Sequence, residues 1–122
     1  MRLSPRIVII DDERSVRSGL SNLLQSEGYD SDAFDSAEAF LHNESALSDA
    51  SLLIIDIKLK GMSGLDLYRR VAQLCAPPVI FISGHEDENL SRYAPEFGGV
   101  TLLRKPIKIE TLLEQIRREL SV

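Results

Sequence analysis

The chain has 122 residues, 14 Lys and Arg against 19 Asp and Glu, and a formal charge of −5 at pH 7. That length suits a single domain with its own core, and the acidic balance with no basic stripe argues against direct nucleic-acid binding. One cysteine, Cys75, and two histidines, His42 and His85, exclude an internal disulfide and a Cys/His zinc centre, and no apolar run is long enough for a membrane span, so a reducing cytoplasm is the expected setting.

Met1 to Pro5 reads as a short lead-in. Arg6-Ile7-Val8-Ile9-Ile10 is a buried-strand run that ends in Asp11-Asp12-Glu13, three acids that plain solvation could tolerate if they stood alone. From Ser15 the period becomes helical, with Val16, Leu20, Leu23 and Leu24 on one face and Gly28 at the place of a left-handed C-terminal cap. Asp30 to Phe34 is a weaker strand. Asp35 or Ser36 then caps a short helix carrying Ala37, Phe40 and Leu41 inward, with His42 at its end facing water. Ser45 to Ser51 reads as a polar loop.

Leu52-Leu53-Ile54-Ile55 is a strand apolar enough to be buried on both faces, and Asp56 stands at its carboxyl end. There Asp56 either opens a turn or does chemistry, since ligands of open α/β sheets bind at that end of the strands. Gly61 and Gly64 let the following loop turn, and Ser63 caps a helix with Leu67, Val71 and Leu74 on one face. Pro77-Pro78 ends that helix. Val79 to Ile82 is the fourth strand, leading to Ser83-Gly84-His85; residues 86–97 have helical character interrupted by Pro95. Val100 to Arg104 is the fifth strand and delivers Lys105-Pro106. The last helix turns Ile109, Leu112, Leu113, Ile116 and Leu120 inward.

Strands alternating with helices imply an α/β fold, a five-stranded parallel sheet, doubly wound with helices on both faces. Parallel strands point one way, so Asp11, Asp12, Asp56, Ser83 and Lys105 converge on one edge. Crowded carboxylates demand a cation, and hard oxygen ligands suit Mg²⁺. With the acids neutralised, a phosphoryl group could approach a carboxylate nucleophile, its outer oxygens met by Lys105 and Ser83. Asp56, between the flanking strands, is the expected nucleophile.

Asp11-Asp12, Asp56, Met62-Ser63-Gly64, Ser83-Gly84 and Lys105-Pro106, in order and spacing, resemble the response-regulator receiver domains of two-component signalling. The resemblance runs from Ile7 to Leu120, so the chain is expected to be one receiver domain over 1–122, structured over roughly 6–120. Ile82-Ser83-Gly84-His85 and Asp35-Ser36-Ala37-Glu38-Ala39-Phe40-Leu41 look closest to receivers of the nitrogen-fixation regulator subgroup, whose members often carry a C-terminal DNA-binding domain. The family implies a flavodoxin-like strand order, 2-1-3-4-5. It implies phosphoryl transfer to Asp56 from a phosphohistidine of a sensor histidine kinase or a histidine phosphotransfer protein. It also implies Mg²⁺ on Asp12 and Asp56, on Asp11 through water and on the backbone carbonyl of Lys58. Lys105 would pair with the phosphoryl oxygens, Ser83 would be the switch hydroxyl, and Lys105-Pro106 would be cis. Lys58 and His85 would flank the path of attacking water. Such a domain is a signalling phospho-acceptor that catalyses its own phosphorylation and dephosphorylation, not an enzyme acting on other substrates.

Two positions depart from the family. Lys60 stands where the loop after Asp56 usually has proline, and Leu102 replaces the aromatic usually found three residues before the lysine. Output is then expected from displacement of residues 84–97, and the face made by the fourth helix, the fifth strand and the last helix would be the partner or homodimer surface, with Tyr93, Phe97, Arg104, Lys108 and Glu114 as contacts. Other readings fit less well. A haloacid-dehalogenase-type phosphatase needs an acid where Lys58 stands, a flavodoxin-like cofactor carrier needs a phosphate cradle where Asp11-Asp12-Glu13 would repel phosphate, and an interaction module that is never phosphorylated need not keep the acid pocket.

Overall fold

The computed structural model describes residues 5–74, 77–84 and 100–121. Strands β1 (Arg6–Ile10), β2 (Asp30–Phe34), β3 (Leu52–Asp56), β4 (Val79–Ser83) and β5 (Thr101–Arg104) form one parallel sheet in the order β2-β1-β3-β4-β5. This is the doubly wound, parallel arrangement expected from the alternation of elements, in the flavodoxin-like order that the resemblance implied, with β1 and β3 adjacent within it. The described helices are α1 (Arg14–Ser26), α2 (Ala37–Leu41), α3 (Glu44–Asp49), α4 (Gly64–Leu74) and α5 (Ile109–Leu120).

The pleat divides the apolar strands between two cores. Ile7, Ile9, Leu52, Ile54, Ile80 and Ile82 face Leu20 and Leu24 of α1 and Leu112 and Ile116 of α5. Val8, Ile10, Leu53, Ile55 and Phe81 face Phe40 of α2, Ala46 of α3 and Leu67 and Val71 of α4. β3 is buried along its whole length because both faces are covered, which is why its sequence does not alternate.

Local chemistry sets the helix ends. Gly28 has φ 86° after α1, its N–H donates to the Gln25 carbonyl at 3.1 Å and that of Tyr29 to Leu24 at 2.9 Å, closing the last turn on its free carbonyls. Ser36 Oγ accepts from the Ala39 N–H at 3.0 Å, and Ser63 Oγ from the Asp66 N–H at 3.1 Å.

Several details differ from expectation. Glu44–Asp49 is helical and takes up most of the Ser45 to Ser51 stretch read as a polar loop, because the Asn43 side chain accepts from the Ala46 N–H at 3.0 Å and the buried Ala46 docks the turn on the core. Leu74, expected inward, is 61% exposed at the last residue of α4, beyond the buried run that ends at Val71. Ile109 is 56% exposed at the first residue of α5, where it lines an apolar groove of about 320 Å³ with Leu20, Leu23 and Pro106. β5 starts at Thr101, one residue later than read. The helix expected over 86–97, with His85, Tyr93, Pro95 and Phe97, lies outside the described residues.

One close approach ties α4 to the carboxyl edge of the sheet. Gly64 opens α4 with its N–H on the Ile57 carbonyl at 3.0 Å, and a Cβ there would run into the backbone carbonyl of Asp56 and lie 2.9 Å from Ile55 Cγ2. Only glycine fits. Gly19, inside α1, has open space where a Cβ would stand, with no heavy atom within 4 Å, and a helical backbone that alanine prefers. Gly64→Ala is expected to lose about 2 kcal/mol or more in chemical denaturation, and Gly19→Ala to gain roughly 0.5–1 kcal/mol. Equal effects of the two would contradict the packing described.

Candidate functional site

The site begins where β1 runs out. The Asp11 N–H donates to the Phe34 carbonyl at 3.1 Å, extending the β1–β2 ladder by one residue and fixing the backbone of a fully buried acid. Its Oδ1 accepts from the Glu13 N–H at 2.8 Å, and its carbonyl accepts from Arg17 Nη1 at 2.8 Å, so the first turn of α1 reaches back over the loop. Asp56 closes β3, 4% exposed, with Oδ1 accepting from the Lys58 N–H at 3.0 Å. The Lys105 N–H donates to the Ser83 carbonyl at 2.7 Å, carrying the β4–β5 pairing past the end of β5, and the Lys105-Pro106 bond is cis.

Alternation decides which side chains meet. Asp11, Asp56 and Lys105 continue the residues that face α1 and α5, whereas Ser83 continues the series of Val79 and Phe81 toward α4. Lys105 Nζ lies 2.7 Å from Glu13 Oε1, 3.2 Å from Asp56 Oδ2 and 3.2 Å from Asp11 Oδ2. Ser83 is fully buried at the same edge. Lys58 is exposed and meets Asp56 through its backbone N–H. Leu102 is half-buried beside its register partner Phe81.

The electrostatics follow from this crowding. Burial, followed by the Asp11 carboxylate, raises the Asp56 pKa above the ordinary aspartate range, against the opposing Lys58 N–H and Lys105 ammonium. Burial alone would lower the Lys105 pKa, but the hydrogen bond to Glu13 and the charges of Asp56 and Asp11 outweigh it and the net shift is upward. Glu13, exposed, is lowered by the hydrogen bond and charge of Lys105.

One ammonium thus serves three acids, and it does not satisfy them all. Among the described residues Asp11 Oδ2 is buried with no well-aligned donor; Lys105 Nζ is at ion-pair distance, 3.2 Å, and attracts it as a charge. Asp11, Asp12 and Asp56 each offer an oxygen within 4.8 Å of the others. An orphaned carboxylate oxygen within such a set of hard donors fits a divalent cation.

Glu13 and Arg17 are the members of the site that the sequence reading left without a role. The signal for Glu13 was its place beside Asp11-Asp12; for Arg17 it was a cation one turn into the helix that follows the acids.

Residues 7–117 match the family model described as the response regulator receiver domain. The response regulator protein TmoT of Ectopseudomonas mendocina is 39% identical over 117 residues, covering 95% of this chain and 53% of that protein. The transcriptional regulatory protein FixJ of Bradyrhizobium diazoefficiens is 32% identical over 117 residues, covering 95% and 57%. The chain spans about half the length of these curated relatives. The structure of the response regulator StyR superposes with a TM-score of 0.86 at 33% identity, covering 96% of this chain and 59% of that one. No helix among the described residues is long and apolar enough to cross a membrane.

The direction of the Asp56 shift fixes a pH dependence. An acid whose folded pKa is raised favours folding below its unfolded pKa and loses that contribution as pH rises through the folded value. Metal-free wild type should therefore lose stability relative to Asp56→Asn as pH rises from about 3.5 to neutrality, where the variant is expected to melt higher by roughly 3–6 °C. Thermal melts of both proteins across that range in a chelator check this; a constant difference between them would contradict it.

Proposed function

The chain belongs to the response regulator receiver domain family, and from that premise we propose that Asp56 accepts a phosphoryl group from a partner phosphohistidine in a Mg²⁺-dependent transfer. The observation that carries this reading is the Asp56 carboxylate, buried at the sheet edge with Oδ2 3.2 Å from the Lys105 ammonium and the Asp11-Asp12 pair alongside. In the transfer an Asp56 oxygen bonds to phosphorus while the phosphorus–nitrogen bond breaks and its electron pair stays on the imidazole.

Asp12 and Asp56, with Asp11 through water and the Lys58 carbonyl, would hold Mg²⁺. When bound it supplies positive charge that offsets the acids and the incoming phosphoryl oxygens. Asp56 is raised in pKa by burial and by Asp11, which strengthens it as a nucleophile once ionised. Lys105 exchanges its carboxylate partners for a phosphoryl oxygen, and the Ser83 hydroxyl, carried at rest on the α4 side of the pleat, moves to take another, so occupancy is felt at β4 and β5. Arg17, on the Asp11 carbonyl, keeps the acid loop in place while this happens.

The donor is a sensor histidine kinase or a histidine phosphotransfer protein, and the phosphorylated domain also catalyses its own dephosphorylation. Lys58, exposed and two residues from Asp56, would influence the approach of water through its ammonium. With Leu102 in place of an aromatic ring, output passes through the face that includes β5 and α5, where Arg104, Lys108 and Glu114 are exposed and would meet a partner or a second copy. That chemistry leaves the chain a signalling phospho-acceptor.

Incubation with Mg²⁺ and a small acyl phosphate should add one phosphoryl group to wild type by intact mass. Asp56→Asn should gain none, and a chelator should prevent the gain in wild type. An equal adduct on the variant would sink the assignment of the nucleophile.

A further inference from the structure

The loop from Asp56 to Gly64 lacks the rigidity a proline would give it, with Lys60 before Gly61, yet four of its backbone N–H groups are held. Two belong to the loop itself: the Lys58 N–H on Asp56 Oδ1 at 3.0 Å and the Gly64 N–H on the Ile57 carbonyl at 3.0 Å. The other two come from elsewhere in the chain: the Ile57 N–H donates to the Ile82 carbonyl of β4 at 3.0 Å, where the loop leaves β3, and the last holds the middle of the loop. Glu38, on α2, accepts the Met62 N–H through Oε2 at 2.9 Å, across 24 residues of sequence. Gly61 lies directly beneath this carboxylate, at φ 77°, where a Cβ would be 2.7 Å from Glu38 Oε2. The glycine serves both the left-handed turn and the close approach of the carboxylate.

The Glu38 carboxyl is held below its ordinary pKa first by the Met62 N–H, then by its own N–H, with His42 adding a smaller attraction, so it is ionised at neutral pH and the bond is charge-assisted. α2 is itself anchored, by the Ser36 cap and by fully buried Ala37 and Phe40. A carboxylate on an anchored turn can therefore restrain the middle of the loop, between its held start at Ile57 and Lys58 and its end at Gly64.

We propose that Glu38 is a positioning residue: by gripping the Met62 N–H it holds the loop on which Lys58 sits, and so sets how well the site takes its cation. The proposal rests on the functional reading above, because it concerns the backbone carbonyl of Lys58 as a metal ligand. Glu38 touches neither the acids nor the phosphoryl group. Its effect runs through loop order alone, and an acceptor oxygen without charge should preserve much of it.

The test compares wild type, Glu38→Ala and Glu38→Gln by amide exchange at Met62 without metal and by calorimetric titration with Mg²⁺. The Ala variant is expected to exchange Met62 at least about tenfold faster and to bind Mg²⁺ at least about threefold more weakly, with the Gln variant closer to wild type on both. Unchanged Met62 exchange in Glu38→Ala, or faster exchange with Mg²⁺ affinity within about twofold of wild type, would overturn the proposal while leaving the functional reading intact. Failure of wild type itself to bind Mg²⁺ would overturn both.

Discussion

A single ammonium among three carboxylates governs the carboxyl edge of this sheet. Lys105 Nζ lies within 3.2 Å of Asp11, Asp56 and Glu13 together, in a place where two of the acids are shut away from water. Ionised carboxylates so close repel one another by several kcal/mol in a partly desolvated site, so the edge needs at least one positive charge to exist as built. The fold supplies it by geometry. Parallel pairing of β1, β3, β4 and β5 brings the strand ends together, and the pleat aims Asp11, Asp56 and Lys105 to the same side.

The arrangement is stable without being satisfied. Asp11 keeps a buried oxygen with no well-aligned donor, and Asp56 holds its proton more tightly than a solvated aspartate. Both features favour added positive charge, and in the proposed reading they would let a small cation bind at a place already occupied by a lysine. A lysine released from one set of anions is free to meet another. In this way the electrostatic strain of the resting edge and the proposed phosphoryl chemistry are two aspects of the same shortage of cations.

Much of this could be read in the sequence because both signals are coarse and strong. Runs such as Leu52 to Ile55 and Val79 to Ile82 report burial on both faces, and an acid or lysine at the end of a strand reports the functional edge. What escaped was of shorter range or lay in three dimensions. The turn at Glu44–Asp49 needs only Asn43 and Ala46, too few residues to produce a period. Leu74 and Ile109 fit their helical stripes but sit at helix ends, where the sheet no longer covers them. Glu13, Arg17 and Glu38 act through contacts whose partners no spacing rule connects, the last across 24 residues.

The central claim is that Lys105 and an added cation compete for the same carboxylates. The direct measurement is calorimetric titration of Mg²⁺ into wild type and Lys105→Met at neutral pH, without phosphodonor. Methionine keeps much of the length of the stem and removes the charge, so the account predicts tighter binding in the variant, by about fivefold or more, since about 1 kcal/mol of relieved competition alone amounts to that. Equal or weaker binding would show that the lysine does not stand in for the cation, and would contradict the account.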